Sequence, residues 1–134
     1  MKEEQIITAA QVEQMIRALE TPNDVEGLVA LFAEDATVES PMIPRLFNRK
    51  EGVCRGRDEI RELARAITQR GTPWGKHGPP LIRGNTVAIE YMRASSDSEP
   101  FSVDIIEVRD GKIQSLRAYL GWRAVMAFSG GARD

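Results

Sequence analysis

Asp104 is the residue in this chain whose setting most invites chemistry. It stands in the middle of Phe101-Ser102-Val103-Asp104-Ile105-Ile106-Glu107-Val108-Arg109, an apolar run that reads as a strand. There Ser102, Asp104, Ile106 and Val108 share one face, and Phe101, Val103, Ile105 and Glu107 the other. Both faces are mainly apolar. A carboxylate in such company must be paired, hydrogen-bonded or kept protonated, because desolvation disfavours its charged form. An acid held that way can give or take a proton near neutral pH, which is the work of a general acid or base. The structural alternative is that Asp104 bonds a neighbouring strand or a tyrosine.

Tyr91 and Arg93 are candidate companions. The run Thr86 to Ala94 sets Val87, Ile89, Tyr91 and Arg93 on one face and Ala88, Glu90 and Met92 on the other. With the first set turned inward, Tyr91 brings a hydroxyl donor and Arg93 a fixed positive charge towards Asp104. Otherwise Tyr91 is ordinary core and Arg93 a rim ion pair. His77 is the only histidine, and no other side chain is as easily made a general base near neutral pH. It lies in the Gly/Pro-rich stretch Trp74 to Pro80, where a surface turn is the plainer reading. Cys54, the only cysteine, excludes an internal disulfide and reads as a loop thiol in a reducing compartment. The bases Arg45, Arg49, Lys50, Arg55 and Arg57 could greet a carboxylate, though such a run is commonly just solvated. There is no Cys/His set with zinc spacing, no glycine loop leading into a helix and no Gly-x-Ser-x-Gly elbow. Neither a metal nor another cofactor is expected.

The elements that must position these residues fall into two blocks. Ala9, Val12, Met15, Ile16 and Leu19 recur at helical spacing after a possible Thr8 cap. Asn23 or Asp24 can cap a second short helix facing inward with Val25, Leu28, Val29 and Phe32. Ala36 to Glu39 follows as a short strand, then an irregular loop from Pro41 to Gly56. A third helix opens at Arg57-Asp58, buries Ile60, Leu63, Ala64 and Ile67, and stops at Gly71-Thr72-Pro73. After Pro80 the period falls to two. Leu81-Ile82, Thr86–Ala94, Phe101–Arg109 and Lys112–Leu120 read as strands of an antiparallel meander with turns at Arg83-Gly84-Asn85 and Arg109-Asp110-Gly111. Helices first and strands after predict an α+β fold with three N-terminal helices packed on one face of the sheet.

The length, 134 residues, fits one domain over 1–134. With 42% apolar and 28% charged residues the chain has a globular composition. Eighteen Lys and Arg against 20 Asp and Glu give no field to draw in a phosphate backbone, so no nucleic-acid partner is expected. The polar start Met1 to Gln5 and the lack of a run of about 18 apolar residues predict a cytoplasmic protein without a membrane partner.

The segment Asp24 to Pro41, DVEGLVALFAEDATVESP, resembles the steroid Δ5-3-ketoisomerases within the nuclear-transport-factor-2-like superfamily, which includes SnoaL-like cyclases and limonene epoxide hydrolases. So do Gly56-Arg57-Asp58-Glu59-Ile60-Arg61 and the ending Gly111 to Gly121. The resemblance implies a cone of curved, mixed sheet plugged by helices, a homodimer, and an apolar cavity with a few polar groups at its base. Carried over residue by residue, it puts Ser40 where the isomerases hold their aspartate base and Met15 where they hold a tyrosine. Asp104 matches the aspartic acid that those isomerases keep protonated, so a neutral acid at this position is what the resemblance implies. Of other acids and bases, Glu39, His77 or Glu90 would have to replace the base. Limonene epoxide hydrolases are similar in Met42 to Pro44 and Trp122-Arg123, but Ala118 stands where their last aspartate would be. The resemblance therefore implies an apolar small-molecule ligand, with Asp104, Tyr91 and His77 as catalytic candidates and Met15, Val38, Ser40, Arg93, Ile106, Leu116, Ala118 and Leu120 as its lining. The expected activity is isomerisation, hydration or cyclisation; the alternative is a non-catalytic binding or dimerisation module, the latter through Val103, Ile105 and Tyr119.

Overall fold

The computed structural model describes residues 8–20, 24–70, 74–93 and 99–128. Helix α1, Ala9–Glu20, begins at a reciprocal cap. The Gln11 N–H donates to the Thr8 hydroxyl at 3.2 Å, and the Thr8 N–H donates to the Gln11 side chain at 2.9 Å, so two otherwise orphaned donors are satisfied. Its Val12, Met15 and Ile16 are buried. Helix α2, Val25–Val29, is capped by the Asp24 carboxylate, which accepts from the Gly27 N–H at 2.9 Å. Strand β1, Phe32–Glu39, helix α3, Ile43–Phe47, and strand β2, Val53–Arg55, lead into the long helix α4, Gly56–Arg70. Arg57 at its start donates twice to the Phe32 carbonyl, at 2.9 and 2.7 Å, tying the helix to the head of β1. Ile60, Leu63 and Ala64 form its buried stripe.

Five further strands follow: β3, Trp74–His77, β4, Leu81–Arg83, β5, Thr86–Arg93, β6, Pro100–Arg109, and β7, Lys112–Leu120, before a last helix α5, Trp122–Phe128. They join β1 and β2 in one curved, unclosed sheet of order β2-β1-β7-β6-β5-β3, with β4 also on β5. Pairing is antiparallel except between β1 and β7. Strands β3 and β4 share the same edge of β5, broken at Gly78-Pro79-Pro80, because proline has no N–H to give a ladder. One face of the sheet, the inner face, packs Val38, Val87, Ile89, Tyr91, Ile106 and Leu116 against the buried stripes of α1 and α4. This is the expected α+β fold. Among the described residues no helix is long and apolar enough to cross a membrane.

The structure departs from the sequence reading at the joints. Phe32, expected on the second helix, opens β1, because the chain already pairs with β7 there: the Ile113 N–H donates to the Leu31 carbonyl at 2.8 Å. Tertiary pairing extends the strand beyond its β-branched end. The expected loop Pro41 to Gly56 holds α3 and β2, and Cys54 is a core residue of β2, fully buried opposite Val38, where burial pushes its thiol up. Trp74–His77 forms a strand because β5 offers it an open edge. Helix α5 has no counterpart in the sequence reading. It is turned by Gly121, whose N–H donates to the Phe101 carbonyl at 2.8 Å and whose missing side chain would lie 3.1 Å from that oxygen. The residues Gly71 to Pro73 and the Asn23 cap lie outside those described.

Candidate ligand site on the inner face of the sheet

Residues directly opposite each other across a ladder point to the same side, so the register states which side chains meet. Asp104 lies opposite Ile89 on β5 and Ala118 on β7. Ser102 lies opposite Tyr91 and Leu120, and Tyr91 opposite His77. One row across the inner face therefore reads Leu120, Ser102, Tyr91, His77, and the next reads Ala118, Asp104, Ile89. A third row, Cys54, Val38, Leu116, Ile106, Val87, lies deeper under the helices. The sequence-derived trio Asp104, Tyr91 and His77 thus comes to one face. His77 meets Tyr91 edge-on with ring centres 6.4 Å apart, and Tyr91 is a diagonal neighbour of Asp104, a separation of about 7–8 Å that an aromatic side chain spans. The Tyr91 hydroxyl is sealed from solvent.

Asp104 is partly accessible, although it occupies a central strand on the face that packs the core. Among the described residues no hydrogen bond or ion pair reaches its carboxylate. Burial among apolar neighbours, with no compensating partner, pushes the carboxyl from 3.8 up to about 7. The group is poised between its two protonation states at neutral pH.

The rest of the expected site divides. Met15, Val38, Ile106 and Leu116 are buried core, whereas Ala118 and Leu120 are partly accessible on the same face. Ser40 follows β1, and continuing the register of Val38 with Leu116 and Glu39 with Arg117 sets it level with Ala118. Its hydroxyl accepts from the Met42 N–H at 3.2 Å, and its N–H donates to Gly52, where a side chain would come within 2.9 Å of the Ser40 carbonyl. Arg93 is not brought to Asp104. A register shift between Tyr91 and Met92 precedes it, and its guanidinium lies 3.8 Å from Glu99 and 5.9 Å from the Phe101 ring centre, so the rim ion pair is what forms. Glu39 and Glu90 are exposed and belong to the other face, opposite Arg117 and Val103 respectively. Of Glu39, Glu90 and His77, only His77 shares a face with Asp104.

Three of the five bases of the expected basic loop hold structure, whereas Arg45 and Lys50 are exposed. Arg49 bonds the Val53 carbonyl and Glu59, Arg55 pairs with Glu51 at 2.8 Å, and Arg57 holds β1. Among the described residues no three His, Cys, Asp or Glu gather as metal ligands. Ser102 is the residue the sequence reading passed over: it is buried beside Tyr91 and Asp104, and its alternation with Asp104 is the signal for it.

Residues 12–116 match the family described as the SnoaL-like domain. No curated protein matches the chain. Among solved structures, the chain is similar to a SnoaL-like protein of unknown function from Burkholderia thailandensis, at 21% identity and TM-score 0.63, covering 87% of this chain and 99% of the other. An NTF2-like protein from Anabaena variabilis superposes with TM-score 0.65 at 18% identity, over 90% and 94% of the two chains. The epoxide hydrolase/cyclase-like enzyme SalBIII, of pyran ring formation in polyether salinomycin, matches at 22% identity and TM-score 0.61 over 86% and 91%. At such identities the structures speak for the fold, and the family match speaks for descent: this chain belongs to the SnoaL-like domain family.

Proposed function

We propose that the protein binds an apolar small molecule against the accessible part of its inner face and acts on it by acid/base chemistry through Asp104. The observation that carries this reading is the state of that carboxyl: partly accessible, without a partner among the described residues, and pushed up to about 7 by its apolar surroundings. A group at such a pKa is well matched to proton transfer at neutral pH. Tyr91 and His77 lie on the same face, Tyr91 as the buried aromatic between the two and His77 as the candidate for a second base. Isomerisation, hydration or cyclisation are all served by this pair of roles, and the epoxide hydrolase/cyclase-like relative is an instance of the fold in use for such a reaction class. No cofactor is called on.

The test sets wild type beside Asp104→Asn on a panel of β,γ-unsaturated ketones and terpene epoxides. Loss of about 10²–10⁴-fold in turnover is expected, the range typical of removing a general acid or base. Unchanged turnover would remove Asp104 from the mechanism. Binding of panel members with no turnover by wild type would make the protein a binding module instead.

A second copy of the chain is the partner we propose for the outer face of the sheet. There Tyr119 (55% exposed) and Leu81 (71% exposed) stand open beside Val103, Ile105 and Ala88. Sedimentation at micromolar concentration is expected to give a dimer, and a monomer would end this reading.

A further inference from the structure

Helix α5 turns its small residues to the sheet and its large ones away from it. Ala124 is buried and Ala127 half-buried, whereas Trp122, Val125 and Met126 are 68%, 49% and 56% exposed. Positions three and four apart lie on one helix face, so those three side chains form a single outward ridge. An amphipathic helix that covers only its own sheet has the opposite pattern. The reason α5 docks at all is Phe101. That residue alternates with Val103 and Ile105 and so belongs to the outer face, yet it is only 1% exposed. Like Ala124, it lies outside the cluster that packs the inner face. Helix α5 packs on β6 and β7, and Gly121 lets it start against the Phe101 carbonyl. The helix therefore stands as a wall at one end of the outer face, close to Tyr119 on β7.

We infer that this outward ridge of α5 is a docking surface for a second copy of the chain, with Trp122 as its anchor. The inference extends the second-copy reading of the outer face and rests on it for the occupant. Area and charge both favour a copy. The open floor from β7 to β4, three strand spacings wide and Ser115 to Tyr119 long, spans roughly 15 by 17 Å, on the order of 250 Å². A stable pair buries about 800 Å² on each partner, so the floor alone is too small. The ridge beside it adds apolar area, the exposed tryptophan alone on the order of 100 Å². The surrounding charges are of both signs, Glu39, Glu90 and Glu107 against Arg83, Arg117 and Arg123. A surface of mixed sign meets a copy of itself without net repulsion, and a two-fold pair presents the same ridge twice. Such charges make no single-sign field for a phosphate backbone or an anionic membrane. The Arg123 guanidinium lies 4.6 Å from the centre of the Trp122 ring and orders the indole, so less freedom is lost when a partner covers it.

Sedimentation of the full chain at micromolar concentration compares wild type with Trp122→Ala and Val125→Asp, and with Ile82→Ser as the control. Ile82 is exposed and apolar too, but it lies opposite Val87, in register with the inner face, so it takes a polar change away from the ridge. Expected are dimers of equal affinity in wild type and Ile82→Ser, and a dissociation constant raised about tenfold or more in both α5 variants. A dimer that neither α5 variant weakens would overturn the inference and leave the sheet-face pairing in place. A wild-type monomer would end both. Equal weakening by Ile82→Ser would mean apolar stickiness without a defined ridge, and would overturn the inference as well. A second measurement needs no change in α5. Trp74→Phe leaves Trp122 as the one tryptophan of the chain, and acrylamide should quench its fluorescence more strongly as dilution separates the copies. Quenching that stays constant while the dimer dissociates would show that the partner does not cover α5.

Discussion

Strand β6 carries a carboxylate to each face of the sheet, and the two have opposite fates. Glu107, on the outer face, is exposed and receives the Arg117 guanidinium at 2.8 Å. That pairing holds the Arg117 charge more firmly, the hydrogen bond from Arg117 to Glu107 being the main cause. Asp104, on the inner face, is surrounded mainly by apolar side chains, meets no cation among the described residues, and is pushed up to about 7 by burial. The same chemical group on one strand is therefore a surface ion-pair member in one case and a titrating acid in the other. The difference comes from parity and from what each face packs against, with no change in the local chain. An acid kept without a partner in an apolar place costs stability, and sites that do chemistry commonly accept that cost.

The comparison breaks most sharply at Ile106, the next inner-face residue along β6, which is buried in the core that Asp104 borders. Ile106→Ala should lower unfolding free energy by about 2–5 kcal/mol, the range for deleting a large buried aliphatic side chain. Urea denaturation measures it. A loss below about 1 kcal/mol would mean that this row is not the tight core described.

Asp104→Asn should do the reverse, and with a pH signature. The folded protein binds the Asp104 proton more tightly than the unfolded chain does, so this group's contribution is fully present below its ordinary pKa of 3.8 and is lost as pH rises towards about 7. Above that it stays lost. Asparagine has no charge to desolvate, so the variant should gain on wild type between those limits and hold the gain at pH 8, by no more than about 4 kcal/mol. Denaturation at pH 5 and pH 8 separates this from a general packing effect. An equal difference at both pH values would show that the carboxyl is not perturbed.

Much of this was legible in the sequence, and the reason differs from part to part. The strand bearing Asp104 was readable because alternation over nine or so residues leaves one possible face for each side chain. The α1 and α4 stripes were readable for the same reason at the helical period. The shared face of Asp104, Tyr91 and His77 was not, because parity within a strand is silent on register between strands, and His77 sits on a strand that only the edge of β5 induces. Arg93 shows the limit from the other side: its alternation with Tyr91 pointed it inward, and a register shift after Tyr91 redirected it to Glu99. Helix α5 could not be read from a short segment whose Trp122, Val125 and Met126 remain exposed.

Caps give a smaller test of the scaffold that presents both carboxylates. Asp24→Ala removes the side chain that receives the Gly27 N–H at 2.9 Å and should cost about 0.5–2 kcal/mol by thermal or urea unfolding. The change leaves the inner face untouched, so Asp104 should titrate as in wild type. A displaced midpoint would mean that α2 positions the acid as well as covering the core.

The least effect is expected where the contact looks best. Glu107→Gln removes the charge from a 2.8 Å ion pair, yet the Glu107 side chain is 48% exposed and the pair lies on the open face. Water and salt screen such a pair, and ordering two long side chains offsets the attraction, so exposed pairs are typically worth about 0–1 kcal/mol. The variant should therefore unfold within about 1 kcal/mol of wild type, and that difference should shrink further in about 1 M salt. Dimerisation offers the informative exception. If a second copy covers this face, Glu107 and Arg117 lose their water, and breaking the pair leaves an arginine buried without its partner. Glu107→Gln would then weaken association far more than it weakens the fold. The ratio of the two effects, from sedimentation and denaturation on the same variant, tells whether the outer face is surface or interface.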